Sequence, residues 1–304
     1  MTTPQPATAE AHRPLPRQQS DAEREIREQR GAAMNRRTFL GLAGSALIGA
    51  GLGCDDEPMG PSQLHRRGRL TVTPREPGNA LFEPGEHELS LGLTREPLLY
   101  IPPGLDVSVP RPLVILFHGA GGNFTFWRTA AYPHADRLGF VALVMRSAGS
   151  TWDVIRGRWG ADVAATDRAL DAVFARCAID PDRICMAGFS DGASYALSLG
   201  LTNGELVRYV IAFSPGLERA SASTTKPFVF VAHGTSDGVL PIELTSRLIV
   251  PRLRDRGYEI TYIEFEGGHV LRADIVQTAF DWFMPLVPLT QAPAPRGGAL
   301  DSPA

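Results

Sequence analysis

Lysine is almost missing from this chain of 304 residues: of its 30 basic residues, 29 are arginine and one, Lys226, is lysine. Set against 33 acidic residues, they leave a formal net charge of -3. That balance has no surplus cation to hold a phosphate backbone, so no nucleic-acid partner is expected. The arginine excess reads as a coding bias, and no single Arg is given a function from sequence. Cysteine is scarce too. Cys54, Cys177 and Cys185 cannot build a disulfide framework, and a chain this long can bury a core without one. Nor is there an apolar run of the ~20 residues that a membrane-spanning helix needs. Gly-Lys-Ser/Thr phosphate loops and the Rossmann glycine pattern are absent as well. What remains is ordinary globular composition, 43% hydrophobic and 21% charged.

The ends differ from the middle. Residues 1–33 are rich in Pro, Gln, Glu and Arg with few bulky apolar side chains, so burial cannot offset their ordering entropy, and disorder is expected. At 34–54 stands Met34-Asn35-Arg36-Arg37-Thr38-Phe39-Leu40, followed by a short run of Gly, Ala, Ser, Leu and Ile that closes at Cys54. Paired arginines before a short glycine-rich apolar stretch resemble a twin-arginine export signal. Five glycines between 41 and 53 make the competing reading, a buried core helix, a poor one. Cys54 at the end of that run resembles a bacterial lipoprotein attachment site, although Gly51 stands where the pattern prefers Leu; the alternative is a Cys carried in a cleaved signal. Translation starts at Met1 or Met34. The expectation is an exported protein, periplasmic or at the cell surface, anchored to the membrane if Cys54 is lipidated. Residues 55–80 read as a polar linker, 81–288 as one folded domain, and the Pro-rich 289–304 as a disordered tail.

Within the body, short apolar runs alternate with helical spacing. Residues around 69–73, 88–91 and 98–101 are β-like and suit antiparallel edge strands. The runs 113–117, 140–145, 184–187, 209–213, 228–232 and 260–265 are continuously apolar, as parallel strands covered on both faces should be. Between them lie helical patterns, one through Val163, Thr166, Leu170, Val173 and Phe174, one opening at Pro241, and one through Ile275, Ala279, Phe280 and Phe283. Strand and helix in repetition predict an α/β protein with a mostly parallel, doubly wound sheet and helices on both faces. Its chemistry belongs in the loops beyond the strands' carboxyl ends.

Four of those loops carry it. After 184–187 comes Gly188-Phe189-Ser190-Asp191-Gly192, between an apolar run and a helix, where a strand-to-helix turn can present a strained nucleophilic Ser190. A serine hydroxyl needs an imidazole to take its proton and a carboxylate to orient that imidazole. Asp237 in His233-Gly234-Thr235-Ser236-Asp237 and His269 in Gly267-Gly268-His269 follow in that chain order, each at a strand end. Asp237 read instead as a turn or capping residue, and His269 as a surface histidine, are the bland alternatives. His233 precedes the acid and reads as a support for its loop. His118-Gly119-Ala120-Gly121-Gly122-Asn123 offers backbone donors, and the expected oxyanion pair is the N–H of Ala120 with that of Asp191. A carboxylate beside the nucleophile would oppose the developing oxyanion, so the Asp191 side chain should point away or pair.

Taken together, these four motifs resemble the phospholipase/carboxylesterase branch of the α/β-hydrolase fold, which includes acyl-protein thioesterases; the similarity spans roughly 88–286. The resemblance implies a Ser190, Asp237, His269 triad, an acyl-enzyme, carboxylic ester or thioester substrates of small size, and no metal or organic cofactor. It departs at Asp191, where family members carry Gln or Ala. A monomer or weak dimer is expected. Trp127, Trp152 and Trp159, with Phe124 and Phe126, either line an acyl or aryl pocket or pack against the sheet. Asp153, Arg156 and Arg158 read as a solvated or paired loop, and Cys177 and Cys185 as buried small residues. Two further readings stay open: a depolymerase of polyester or feruloyl-type esters, and a non-catalytic surface lipoprotein that uses the fold as a binding module.

Overall fold

A computed structural model describes residues 59–284. The readings of 1–33 as disordered, 34–54 as a signal with Cys54, and 289–304 as a tail lie outside the described residues. Eight strands form one sheet: β1 (Gly85–Glu88), β2 (Leu98–Ile101), β3 (Arg111–Phe117), β4 (Val141–Met145), β5 (Ile179–Phe189), β6 (Tyr209–Phe213), β7 (Phe228–Gly234) and β8 (Ile260–Phe265). Their order across the sheet is β1-β2-β4-β3-β5-β6-β7-β8. β1 and β2 join antiparallel, β2 meets β4 antiparallel, and every later pairing is parallel. This is the mostly parallel α/β architecture that the alternating runs predict.

The uninterrupted apolar runs have a direct cause, because successive side chains of a strand point to opposite faces and both faces are covered. Leu113, Ile115 and Phe117 of β3 join one core, while Val114 and Leu116 join the other. The first core is closed by α4 (Ala161–Phe174), α5 (Asp191–Thr202) and α6 (Ser246–Asp255). The second is closed by α2 (Trp127–Ala130), α3 (Tyr132–Leu138) and α7 (Ala273–Phe283). On α7 the buried residues Ile275, Val276, Ala279, Phe280 and Phe283 recur at the three-to-four spacing that puts them on one face. Emptying such a position, as in Phe280→Ala, should cost about 3 to 5 kcal/mol.

Three expectations change. The helix read as opening at Pro241 begins only at Ser246, since Thr245 adopts φ -128 and ψ -100, and Pro241 instead precedes a short 3₁₀ turn, Ile242–Leu244. Residues 69–73 form no strand. Finally, 59–80 is no free linker: its polar backbone finds partners on the body. Within it, α1 (Pro61–His65) is followed by an extended strap. Asp167 accepts the Thr71 and Val72 amides at 2.8 and 3.0 Å and the His65 ring at 2.9 Å. Asn203 bonds Leu70 N–H and Gly68 C=O, each at 2.8 Å. Composition foretells a linker because the strap's partners lie about a hundred residues further along the chain.

Candidate active site

The strand-to-helix turn at Ser190 follows from sterics. Ser190 sits at φ 58 and ψ -121, a conformation that a non-glycine residue holds only when its surroundings enforce it. The enforcement is visible in the backbone: Ser190 N–H donates to Phe213 C=O at 2.9 Å, while the chain closes tightly on both sides. A Cβ on Gly188 would lie 2.1 Å from Gly192 O, and one on Gly192 would lie 2.2 Å from Phe117 O. Both glycines of the motif are therefore obligatory for this turn.

Ser190 Oγ lies 2.8 Å from His269 Nε2, and His269 Nδ1 lies 2.6 Å from Asp237 Oδ2. With Nδ1–H donating to the carboxylate, Nε2 is left as the acceptor for the serine hydroxyl. Asp237 is buried, which pushes its carboxyl up, but the Leu240 amide, His269 and the Val239 amide outweigh burial and hold its pKa below the ordinary carboxylate value. Its Oδ1 accepts Val239 and Leu240 N–H at 2.9 and 2.7 Å. His233, whose pKa burial lowers, supports this loop as expected: its Nε2 lies 2.9 Å from Leu240 O and its Nδ1 lies 2.7 Å from Ser246 Oγ. The acid and histidine loops are sewn together by Thr235 N–H to Phe265 O and Ser236 N–H to Gly267 O, each at 2.9 Å.

The expected oxyanion donors flank the same spot. A Cβ on Gly119 would lie 3.3 Å from Ser190 Cβ, so the 118–123 loop passes directly beside Ser190. Ala120 N–H meets no backbone acceptor among the described residues, and Asp191 N–H opens α5, where leading amides lack intrahelical partners. The Asp191 carboxylate is turned aside by Thr151, whose hydroxyl donates to it at 2.5 Å.

The three tryptophans are not at the mouth. Trp127 and Trp152 have no exposed surface, and Trp159, half-buried, packs on Gly68 of the strap and lies 5.9 Å from the Tyr195 ring. Their reading as substrate contacts is corrected: apolar area drew Trp127 and Trp152 into the core and set Trp159 against its edge. Trp152 gains another role that the sequence concealed. Its Nε1–H donates to His118 O at 2.8 Å, while buried His118 donates from Nδ1 to Gly119 O at 2.7 Å and accepts Ser147 N–H on Nε2 at 3.0 Å. Both side chains therefore hold the 118–123 loop. Half-exposed aromatics do stand beside the triad: Phe189 packs tilted on His269 with centroids 4.8 Å apart, and Phe126 meets Phe189 edge-on at 6.3 Å. Of the two readings of Asp153, solvated or paired, the structure keeps the second: it is 3% exposed, and it and Asp162 cap each other's amides at 2.7 and 3.1 Å. A cavity of about 620 Å³ lies elsewhere, between the strap and α4, with His65, Thr71, Arg75 and Asp167 in its wall. Among the described residues no cluster of His, Cys, Asp and Glu suits a metal ion.

A parallel sheet carrying a strained serine elbow, with acid and histidine on the following strand ends, defines an α/β hydrolase. The chain belongs to the phospholipase/carboxylesterase family, whose model matches residues 107–281. Feruloyl esterase D of Neurospora crassa is 31% identical over 110 residues, 36% of this chain and 38% of its own length. Feruloyl esterase C of Emericella nidulans is 28% identical over 159 residues, 49% of this chain and 57% of its own. The chain thus matches less than two thirds of either relative. Among solved structures, a truncated carbohydrate esterase from gut microbiota superposes with TM-score 0.54 at 16% identity, covering 69% of this chain and 99% of that one. An esterase of Thermogutta terrifontis gives 0.51 at 21%, covering 74% and 99%. At such identities both bear on the fold alone.

Proposed function

We propose that this chain is an exported serine esterase in which Ser190 is the nucleophile, His269 the general base and then acid, and Asp237 the group that orients His269. The observation that carries this reading is the pair of contacts on the His269 ring, 2.8 Å to Ser190 Oγ and 2.6 Å to Asp237 Oδ2. As Ser190 Oγ bonds to the ester carbonyl carbon, its proton passes to His269 Nε2 and the carbonyl electron pair moves onto oxygen. The Ala120 and Asp191 amides receive that oxyanion. Collapse breaks the bond to the alcohol oxygen, which leaves with the proton from His269. Water, deprotonated by the same nitrogen, then attacks the acyl-Ser190 carbonyl and releases the acid and the serine.

For the acyl group, the half-exposed Phe189 beside His269, with Phe126 edge-on to Phe189, favours an aromatic or cinnamoyl-type ester, in keeping with the names of the two feruloyl esterases. A non-catalytic binding module is the weaker reading, since a binder gains nothing from an aligned triad. Export rests on Arg36-Arg37 and the short apolar run, and a lipid anchor on Cys54.

The test is intact mass after exposure to a fluorophosphonate probe, with Ser190→Ala alongside. One adduct that vanishes in the variant is expected, followed by turnover of 4-nitrophenyl butyrate and methyl ferulate. A cooperatively folded protein with no adduct and no turnover would bring the binding module forward.

A further inference from the structure

Two half-buried arginines, Arg95 and Arg146, stand beside the oxyanion loop. Some arginines sit on carboxylates, as Arg128 does on Glu86 at 2.6 Å and Arg137 on Asp281 at 2.6 Å, and others have none. Arg95 and Arg146 have no carboxylate within 4.0 Å among the described residues. Both are half-buried, which makes an unmatched charge costlier than at an open surface. Arg95 Nη1 donates to Gly149 O at 3.0 Å and lies where a Cβ on Gly122 would come within 2.5 Å of it. Arg146 lies over the Phe124 ring at 4.3 Å, and its buried Nε has no hydrogen-bond acceptor.

Carboxylates of the neighbouring loops are committed elsewhere. Glu96 accepts the Leu91 and Leu93 amides at 2.6 and 2.8 Å, so only its backbone oxygen faces Arg146, at 3.4 Å. Asp191 is taken by Thr151, and Asp162 by the Ala148 and Asp153 amides at 2.7 Å each. Both guanidinium groups act electrostatically on His118, at the root of the oxyanion loop. From Gly119, beside Ser190, to Gly122, beside Arg95, is three residues of chain, at most about 10 Å.

We propose that Arg95 and Arg146 form an anion subsite next to the oxyanion loop, so that the preferred esters carry a carboxylate or phosphate a few atoms from the scissile carbonyl. Planar guanidinium forks suit either group. The inference deepens the esterase reading and rests on it; the two fail differently.

The experiment compares matched esters: the 4-nitrophenyl monoesters of succinate and adipate against 4-nitrophenyl butyrate and hexanoate, and 4-carboxyphenyl and 4-phosphonophenyl butyrate against phenyl butyrate. These arms separate charge on the acyl side from charge on the alcohol side, and carboxylate from phosphorus oxyanion. The wild-type protein is expected to favour at least one charged member in kcat/KM, less so in high salt as the charges are screened. Arg95→Gln and Arg146→Gln should each cut that charged-to-neutral ratio about tenfold, the worth of one charge-assisted hydrogen bond, and Arg146→Lys should retain most of it. A ratio that ignores salt and both Gln variants overturns the subsite while leaving the esterase intact. Should no ester turn over, calorimetry with the N-phenyl amides of succinic and adipic acid still decides. Binding that both Gln variants weaken supports the subsite, and no binding ends it.

Discussion

At the residue scale, the elbow, the acid and the histidine were legible because each is a local device. Gly188 and Gly192 are needed by the turn itself, and Asp237 and His269 each follow an apolar strand that the eye can find. Trp152 was not legible, since its partner, the carbonyl of His118, is brought near only by the sheet. A prediction separates the two kinds of residue. Ser190→Ala and His269→Ala should each lower kcat/KM for an activated ester by about 10⁴-fold or more, and Asp237→Asn by about 10³-fold or more. Trp152→Phe keeps the ring and loses only the N–H, so kcat should fall about tenfold with KM little changed, because a loosened oxyanion loop weakens transition-state stabilisation. A change in KM alone would mean that Trp152 touches substrate.

Asp153 makes a second prediction at this scale. Burial, and then the neighbouring Asp162 charge, push its pKa up to about 6 against an unfolded value near 3.9. Below about pH 3.9 both states hold the proton. Between there and about pH 6 the folded state keeps a proton that the unfolded state has released, so stability falls as pH rises, and above pH 6 the loss is complete. Asp153→Asn has no such proton to lose. Its stability relative to the wild-type protein, read from urea unfolding, should therefore improve by about 2 to 3 kcal/mol between pH 4 and pH 7. A difference independent of pH would show Asp153 ionised throughout.

At the scale of elements, most strands and helices were legible as apolar runs and helical spacing, and two kinds of error mark where that reading stops. The helix at Pro241 was set too early because periodicity cannot register the break at Thr245. The strap was missed because its order comes from Asp167 on α4 and Asn203 at the end of α5, polar side chains distant in sequence, and not from its own apolar content. Asp167 is the test. Burial pushes its carboxyl up, but the bonds from Thr71, His65 and the Thr71 and Val72 amides bring it below the ordinary value. That group stabilises the fold above its unfolded pKa, and the contribution disappears as pH falls through the folded one. Asp167→Ala should cost about 2 to 4 kcal/mol near neutral pH by orphaning the strap's donors. The exposed Arg66-Arg67 bond should then be cut by trypsin before the rest of the domain opens. Equal resistance in variant and wild type would mean that the strap is held by other contacts.

At the scale of the whole molecule, one sheet with two helix layers gathers the ends of β3, β5, β7 and β8 around a single point, which is why four short motifs far apart in sequence can be read as one site. The same scale bears on export. Cys177 and Cys185 are free and buried, and desolvation raises both thiols, Cys177 to about 12, so both stay protonated and unreactive at neutral pH. A domain that needs no disulfide can fold in a reducing compartment before translocation, as a twin-arginine route requires and an unfolded-chain route does not. Replacing Arg36-Arg37 by Lys-Lys keeps the charge of the signal and alters only the pair. The full-length double variant should accumulate in the cytoplasm as a folded protein that still labels with fluorophosphonate at Ser190, whereas the wild-type chain should be found outside the inner membrane. If both chains are exported alike, the arginine pair is not the address. Cys54→Ala, tested in the same cells, separates anchoring from export: if Cys54 is the lipidation site, the variant should leave the membrane fraction while still being exported.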